Sequence, residues 1–333
     1  MKLSIVIICW NDRKVIEASL KSIFDQPPGD SFEVIVSDNG STDDSVAYIR
    51  ATFPMVTVLE NGANLGFAKG NNVGIRAARG EYVLIPNPDT ILHCDAVRRL
   101  LTFADVRPNA GAFGCRVLNP DGSDQLPAAP LPTLQGALVS ALCLRWLGRV
   151  SPRLLADWYP GWDGTTEREI GRQSGCCILV RRSLLTQLDG FDERFFYHCE
   201  ETDLCCRIWA AGSKVLFCPD AVITHLGGQS VGRFPIRFAL ETYRSRYRYF
   251  HKHYGERGVQ WFRLITLLHI ELRHLAYGAL WQVSRSAALE NRLAMYRVVL
   301  EWNRRVDPLR FVSVGDEPDL GYAPMAPPSA TVG

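Results

Sequence analysis

The stretch that decides the fold reads EYVLIPNPDT, from Glu81 to Thr90. Its first half is mostly apolar and predicts a buried strand, which the two prolines bring to an end. The turn leaves one carboxylate, Asp89, at the carboxyl end of the strand, and in open α/β sheets ligands bind at that end. A single Asp in a proline turn is usually ordinary turn chemistry, so the case for Asp89 depends on its neighbours.

Three other apolar segments end in polar turns in the same way: Leu3–Cys9, Phe32–Val36 and Val56–Leu59. Such near-continuous apolar strands are typical of a parallel sheet that helices cover on both faces. A helical pattern follows each strand. We therefore predict repeated β-α units over about the first 105 residues and a doubly wound, mostly parallel α/β sheet. This order places four polar residues along one edge of the sheet: Asn11, Asp38, Asn64 and Asp89.

The same patterns predict where the helices begin and end. Ser41 or Thr42 is expected to cap the second helix, because a side-chain oxygen there can accept a hydrogen bond from the first turn. Gly80 is expected to close the third helix. The fourth helix should run from about Asp95 to Asp105 with an apolar face buried.

The 333 residues carry a formal charge of +2, but the charges are unevenly distributed. Residues 233–310 contain 15 Lys and Arg against 6 Asp and Glu, which favours an anionic partner such as a membrane surface or a nucleic acid. No nucleic-acid recognition motif accompanies the basic block. Its two aromatic and basic stretches, 243–250 and 261–275, suit helices that lie in a membrane interface. We therefore predict an anionic membrane surface as a partner, and no nucleic acid. The alternative is that these helices pack on the catalytic domain or on a second subunit.

The cysteines and the apolar segments bear on localisation. None of the ten cysteines forms a C-x-x-C pair, and the adjacent pairs Cys176-Cys177 and Cys205-Cys206 suit neither zinc nor an ordinary disulfide. The first apolar run is too short for a signal peptide, and no uncharged apolar stretch is long enough to span a bilayer. We predict a reduced, cytoplasmic protein that is at most peripheral on the inner face of the membrane.

Two carboxylates follow an aromatic run in the segment from Gly190 to Leu204. Glu200 and Glu201 stand just before a helical pattern that ends at Gly212, which suggests a catalytic role. The alternative is helix capping, with Thr202 as the cap and acids favoured by the helix dipole. Capping accounts for Thr202 and Asp203 but not for the two glutamates.

Two further segments carry polar residues at the edges of elements. His225 ends a strand and precedes two glycines, which leave room for a ligand, although a histidine there is more often structural. The segment Asn64–Gly74 has neither dinucleotide-binding nor P-loop spacing, yet its Asn and Gly residues can contact a phosphate or a sugar at a helix start. By contrast, Asn119-Pro120-Asp121-Gly122 repeats the Asn-Pro-Asp string in what reads as a hairpin turn, and we assign it no chemistry.

Six motifs in one order resemble a family 2 glycosyltransferase with the GT-A fold, of the bacterial rhamnosyltransferase type: Ser4–Asn11, Ser37–Asp43, Asn64–Phe67, Asn87–Thr90, Gly190–Phe196 and Glu200–Leu204. The resemblance covers roughly residues 1–255. It implies an inverting transfer of a sugar, with rhamnose a candidate, from a dTDP- or UDP-linked donor to a hydroxyl. The implied acceptor is a glycan or lipid-linked glycan in cell-surface polysaccharide synthesis.

The resemblance also implies roles for individual residues. The nucleotide-sugar pocket would be lined by Trp10, Asn11, Asp38, Asn64, Gly66, Asn71 and Asn87. Asp89 and His225 would hold Mg²⁺ or Mn²⁺. Glu201 would be the general base, with Glu200 and Asp203 beside it. Two departures from the family pattern matter: Asn87 replaces the first Asp of the metal motif, and Glu201 stands where the family usually has Asp.

These predictions divide the chain into four parts. Residues 1–118 are predicted to bind the nucleotide sugar and 119–232 to bind the acceptor. A basic amphipathic helical region, 233–315, follows as a C-terminal appendage, and a disordered tail occupies 316–333. The sequence leaves self-association open.

The sequence alone leaves two alternative functions open. A sugar-1-phosphate nucleotidyltransferase would need a glycine-rich loop with a basic residue soon after the first strand, where this chain has Trp10-Asn11-Asp12. A degenerate glycan-binding relative would have lost its metal site through Asn87. Donor hydrolysis with added Mg²⁺ or Mn²⁺ would separate such a binding protein from an enzyme.

Overall fold

The chain divides into two units in a computed structural model that describes residues 1–29, 31–144, 159–227, 235–316, 318 and 320. Unit 1 comprises residues 1–131, 161–196 and 200–229, and unit 2 comprises 132–160, 197–199 and 230–333. Most of the predicted tail, 316–333, lies outside the described residues.

Unit 1 contains twelve strands among its described residues: β1 Leu3–Cys9, β2 Phe32–Asp38, β3 Thr57–Glu60, β4 Tyr82–Pro86, β5 Thr90–Leu92, β6 Ala110–Leu118, β7 Asp124–Gln125, β8 Ala128–Ala129, β9 Arg168–Glu169, β10 Arg172–Gln173, β11 Cys177–Arg181 and β12 Lys214–His225. Its helices are α1 Arg13–Phe24, α2 Ser45–Thr52, α3 Phe67–Ala77, α4 Ala96–Asp105, α6 Arg182–Gln187 and α7 Glu200–Ala210. The helix α5, Leu134–Ala141, belongs to unit 2.

The main sheet has the strand order β3-β2-β1-β4-β11-β6-β12-β5. The strands β3, β2, β1 and β4 are parallel, and β12 is parallel to β6. The strand β11 runs antiparallel to both of its neighbours, and β5 runs antiparallel to β12. The chain leaves β1 towards β2 and β3 and later returns to its other side as β4, which creates the crevice at which α/β sheets bind ligands.

Helices cover both faces of this sheet, as the apolar strands predict. Alternate residues of β1 point to opposite faces. One set, such as Leu3, joins a core with the apolar sides of α1, α2 and α4. On the other face α3 approaches so closely that a Cβ on Gly74 would lie 2.4 Å from Val6. The glycines of α3 therefore allow the helix to pack tightly against the strand.

Two predicted helix boundaries are wrong. The helix α2 begins at Ser45 after Asp44, because Ser41 and Thr42 bond to Asn11 instead. The helix α3 ends at Ala77, and Gly80 lies beyond it against β1, where a Cβ would come within 2.4 Å of the Ser4 amide nitrogen. In both cases a residue whose type favours a helix cap instead makes a contact with a segment that is distant in the sequence.

Unit 2 contains the predicted C-terminal helices: α8 Pro235–Ser284, α9 Ala287–Arg305 and α10 Pro308–Val314. Gly255, with a φ of 68°, interrupts α8. The first predicted interfacial stretch forms the core of unit 2 instead, because Tyr247, Tyr249 and Phe250 are buried. The ring of Phe250 stacks on that of Phe262, with 4.0 Å between their centroids. The described residues include no helix long and apolar enough to span a membrane.

Candidate active site

Asp38 stands at the carboxyl end of β2 and is almost completely buried. Its Oδ2 accepts hydrogen bonds from the backbone amides of Gly40 and Ser41, both at 3.0 Å. Its Oδ1 is also buried, but it has no hydrogen-bond partner among the described residues. A buried acceptor without a donor is costly, so this oxygen is a candidate for recognising an N–H or O–H group of a ligand.

Asn11 connects the loop after β1 to the loop after β2. Its φ of 58° turns the chain sharply, its amide donates to Ser41 Oγ at 2.8 Å, and its Oδ1 accepts from the Thr42 amide at 2.7 Å. The side chain of Trp10 beside it is half-buried. Asn11 therefore holds the walls of the predicted nucleotide pocket together.

Asn39, which is not among the site residues predicted from the sequence, organises the same edge. Its Nδ2 donates to the carbonyl of Gly66 at 3.0 Å and to Asn64 Oδ1 at 3.4 Å, and its Oδ1 accepts from Asn61 at 2.8 Å. The signal in the sequence is the polar turn after β2, where Asp38 attracts attention first. Through Asn39, the predicted residues Asn64 and Gly66 join the network around Asp38.

Gly66 allows a close approach of two distant segments. It has a φ of 81°, and a Cβ there would lie 2.5 Å from the ring of Phe196. The next amide, that of Phe67, donates to the Phe196 carbonyl at 2.7 Å. The aromatic run before the two glutamates is thus fixed to the start of α3.

The asparagines of α3 differ in their contacts. Asn71 is buried, and its Nδ2 donates to the Phe67 carbonyl one turn earlier. Its Oδ1 has no partner among the described residues. Asn72, which belongs to the segment predicted to contact a phosphate or a sugar, instead bonds through both amide atoms to the backbone of Phe191. Asn72 is therefore a structural clamp, and Asn71 remains the candidate for ligand contact.

Asn87, Asp89 and His225 converge where β4 ends. His225 Nε2 lies 3.3 Å from Asp89 Oδ1 and 3.4 Å from Asn87 Nδ2. The register between β5 and β12 causes this, because His225 stands opposite Thr90. Asn87 Oδ1 is buried without a partner in the described part of the chain. The structure thus brings the two predicted metal ligands and Asn87 together.

The other ring nitrogen of His225 fixes the tautomer. Nδ1 lies 3.1 Å from Gln125 Oε1. Gln125 Nε2 in turn donates to Asn119 Oδ1 at 2.8 Å, which turns the Gln125 oxygen towards the imidazole. Nδ1 therefore carries the proton, and the lone pair of Nε2 faces Asn87 and Asp89.

The look-alike turn that begins at Asn119 is the predicted hairpin, since β7 returns antiparallel to β6. Its Asp121 accepts local hydrogen bonds from the amide and the hydroxyl of Ser123. Asn119 nevertheless orients His225 through Gln125. The turn thus supports the candidate site without providing a ligand, a role that nothing in its local sequence indicates.

The segment before β11 connects Glu201 to this cluster. The Cys176 carbonyl accepts from the Asn87 amide at 2.9 Å and from Thr90 Oγ1 at 3.0 Å. A Cβ on the preceding residue, Gly175, would meet the Glu201 side chain at 3.7 Å. One short segment therefore contacts both the turn that carries Asp89 and the predicted base.

The predicted capping roles at this helix are wrong, because α7 already begins at Glu200. Thr202 lies inside the first turn, and its hydroxyl donates to Glu201 Oε1 at 3.0 Å. No described residue bonds to Glu201 Oε2. Oε2 of Glu201 is therefore available to another partner. Both Glu200 and Glu201 are buried.

Asp203 is fully buried and forms an ion pair with Arg207, at 2.7 Å between Oδ2 and Nε. The same guanidinium donates to the carbonyls of Leu188 and Gly190. Asp203 thus fixes the loop that leads into the aromatic run. The helix ends at Ala210, two residues before the predicted end, and Gly212 follows in the next turn with a φ of 79°.

The chemistry of the cluster fits a small divalent cation. Asp89 offers a carboxylate oxygen and His225 an imidazole nitrogen. Asn87, whose Nδ2 faces His225, also has a buried amide oxygen without a partner among the described residues. Among the described residues no three His, Cys, Asp or Glu side chains gather as a metal site, so a bound ion would need further ligands from a substrate. A mixed nitrogen and oxygen set suits Mn²⁺ better than Mg²⁺.

The sequence is similar to known sugar transferases. The family model for glycosyl transferase family 2 matches residues 4–188. An N-acetylglucosaminyl-diphospho-decaprenol L-rhamnosyltransferase of Mycobacterium tuberculosis is 32% identical over 289 residues, which are 82% of this chain and 86% of that protein. The rhamnosyltransferase WbbL of Escherichia coli is 27% identical over 48% of this chain and 60% of its own length.

The fold is also similar to that of a solved enzyme, a mannosyltransferase from Pyrobaculum calidifontis in complex with GDP-Man and Mn²⁺. The TM-score is 0.54 at 19% identity, over 91% of this chain and 84% of that one. The GT-A fold expected from the sequence is confirmed. The family match decides against the nucleotidyltransferase alternative.

Proposed function

This chain belongs to glycosyl transferase family 2, and we propose that it inverts the anomeric configuration of the sugar it transfers. The donor is a nucleotide diphosphate sugar, with dTDP-rhamnose the first candidate and UDP-sugars the second. The acceptor is a hydroxyl of a lipid-linked glycan in cell-surface polysaccharide synthesis. The observation that carries the proposal is the convergence of Asn87, Asp89 and His225 beside the segment that packs against Glu201.

The network around Asp38 binds the nucleoside. Asp38 Oδ1 accepts a hydrogen bond from the base or the ribose, which provides the partner that this buried oxygen lacks. Trp10 and Asn11 form one wall of the pocket, while Asn64 and Gly66 form another. Asn71 Oδ1 is a second acceptor for the sugar or the ribose.

Asn87, Asp89 and His225 would hold the cation, and Gln125 would keep the imidazole in the tautomer that can ligate. When bound, a divalent cation supplies positive charge to the diphosphate that leaves. The relatives are named for rhamnose and for a lipid-linked diphosphate, and the solved mannosyltransferase is described with GDP-Man and Mn²⁺. These names support the proposed donor class, acceptor class and ion.

Glu201 acts as the general base. Thr202 occupies Oε1, so Oε2 takes the proton of the acceptor hydroxyl as the new glycosidic bond forms. General base catalysis is typically worth about a hundredfold to ten-thousandfold in rate. Asp203 positions the loop through Arg207, and Glu200 begins α7.

The second half of α8 docks on an anionic membrane surface. Trp261, Leu264, Leu268, Leu272 and Leu275 are exposed at helical spacing, and the surrounding block is basic. Liposome co-sedimentation tests this: binding should need anionic lipid and weaken with salt. Co-sedimentation with liposomes that does not depend on salt concentration would contradict membrane docking.

A thermal-shift panel tests the proposed donor. UDP-, dTDP- and GDP-sugars are added to the full chain with Mn²⁺ or Mg²⁺. A ligand at 100 times its Kd should stabilise the protein by about 2.7 kcal/mol. The Asp38→Asn variant should lose that stabilisation, whereas Asp121→Asn should keep it. If no nucleotide sugar shifts the melting temperature of the wild type, the donor proposal is wrong.

A further inference from the structure

Unit 2 contains a cavity of about 120 Å³ that α5 and both halves of α8 line. A single water needs roughly 10–15 Å³, so the cavity has room for a larger group such as a phosphate. Among the described residues, the lining includes Arg246 and Arg273 but no carboxylate. Its charge therefore favours an anion.

Neither arginine has a carboxylate partner among the described residues. Acids of unit 2 pair with other arginines: Glu241 with Arg244 and Arg248, and Glu271 with Arg304. No ion pair joins Arg246 or Arg273 to a carboxylate in the described part of the chain. Because partly buried charges without a partner are unfavourable, the cavity gains stability from an anionic ligand.

The two guanidinium groups converge. Burial raises the pKa of the Tyr243 hydroxyl, and Arg246 and Arg273 both act in the opposite direction, so both charges lie within electrostatic reach of one phenol. Arg273 Nε donates to His269 Nε2 at 2.8 Å, which fixes that guanidinium and leaves its two terminal amino groups for a ligand. Planar guanidinium groups match the oxygens of a phosphate particularly well.

An apolar stripe runs beside the cavity. Leu264, Leu268 and Leu272 are exposed, and each stands one residue before a residue that lines the cavity: Ile265, His269 and Arg273. Consecutive helix residues are about 100° apart around the axis, so the leucines flank the cavity along one side of α8. A phosphate in the cavity could thus carry a long hydrocarbon chain along the leucines.

We propose that this cavity binds the phosphate or diphosphate head of a long-chain lipid, with the chain lying along the leucine stripe. The proposal goes beyond sugar transfer, because every residue that carries it belongs to unit 2. It is also more specific than docking on an anionic surface, since it requires one phosphate in one cavity.

Isothermal titration calorimetry on the full chain tests the proposal, with farnesyl diphosphate as the probe. Inorganic pyrophosphate and farnesol represent the head and the chain alone. We expect farnesyl diphosphate to bind at least about tenfold more tightly than either. Arg246→Gln and Arg273→Gln should each weaken it by about tenfold or more, as expected for a lost hydrogen bond to a charged group. Arg257→Gln, at an exposed position of the same helix, should change it less than about twofold.

A second variant fills the cavity without changing any charge. Ala137→Phe should abolish tight binding of farnesyl diphosphate. This variant tests the proposed cavity site even if an arginine variant does not fold. UDP binding, measured in parallel, should be unchanged in all variants, which separates this site from the donor site. The proposal is overturned by equal binding of pyrophosphate or farnesol, by an equal loss in Arg257→Gln, or by wild-type affinity in Ala137→Phe.

Discussion

His225 Nε2 lies 3.3 Å from Asp89 Oδ1 across a strand pair whose members are far apart in the sequence. Asp89 leads into β5, and His225 ends β12. The antiparallel register of these strands places the imidazole over the acidic turn. This contact turns an ordinary proline turn into a candidate cation site, and it motivates the first two predictions.

Asp89→Asn should keep the fold and reduce metal-dependent turnover by about a hundredfold or more, since loss of the charged ligand removes several kcal/mol of transition-state stabilisation. Asp121→Asn, in the second Asn-Pro-Asp turn, should be near neutral because Asp121 bonds only within its own turn. Initial rates at several Mn²⁺ concentrations measure both. Equal losses in the two variants would remove the distinction between the turns.

Gln125→Leu should weaken Mn²⁺ binding by about tenfold to a hundredfold, the usual effect of removing the group that orients a ligating histidine. Gln125→Glu should retain most of the affinity, because a carboxylate oxygen can also accept the hydrogen bond from His225 Nδ1–H. Calorimetric titration with Mn²⁺ in the presence of UDP provides the measurement. If the Leu variant binds Mn²⁺ as the wild type does, Gln125 does not position His225.

The sequence predicts the strands of the parallel half and the residues at their carboxyl ends, because apolar runs and polar turns are local signals. It does not predict which of those residues face a ligand. Asn11 shows the difference, since its side chain connects two loops. Ser41 and Thr42 are misread as caps for the same reason: their partners lie 30 residues or more away.

The network behind His225 could not be predicted for a similar reason. Gln125 is 100 residues from His225, and Asn87 is 138 residues from it. Only the packing order of the strands brings them together. Asp203 illustrates the reverse case, because the ion pair four residues on, with Arg207, is a spacing that the sequence could have revealed.

Gly66→Ala should destabilise the protein by about 3 kcal/mol, because it combines strain at a φ and ψ of 81° and 176° with a collision against Phe196. Gly62→Ala is the matched control. Gly62 also has a positive φ, but no atom lies within 4 Å of its built Cβ, so it should lose only about 1 kcal/mol. Differential scanning calorimetry compares the two. A similar loss of Tm in both would mean that the contact with Phe196 is unimportant.

Buried thiols should resist alkylation. Burial raises the pKa of Cys9, Cys176 and Cys205 to about 12, so at pH 8 only about one thiol in ten thousand is ionised. The exposed Cys94 and Cys143 should react with iodoacetamide first, as mass spectrometry of the native protein would record. Rapid labelling of Cys176 would contradict the structure around the Asn87 turn.

The stereochemistry of transfer tests the central proposal most directly. A donor labelled with ¹³C at the anomeric carbon is incubated with a lipid-linked acceptor and Mn²⁺, and NMR determines the configuration of the new linkage. We expect the inverted anomer, formed at least about a hundredfold more slowly by Glu201→Gln, with donor binding preserved. Retained configuration, or an undiminished rate in Glu201→Gln, would contradict inversion with Glu201 as the base.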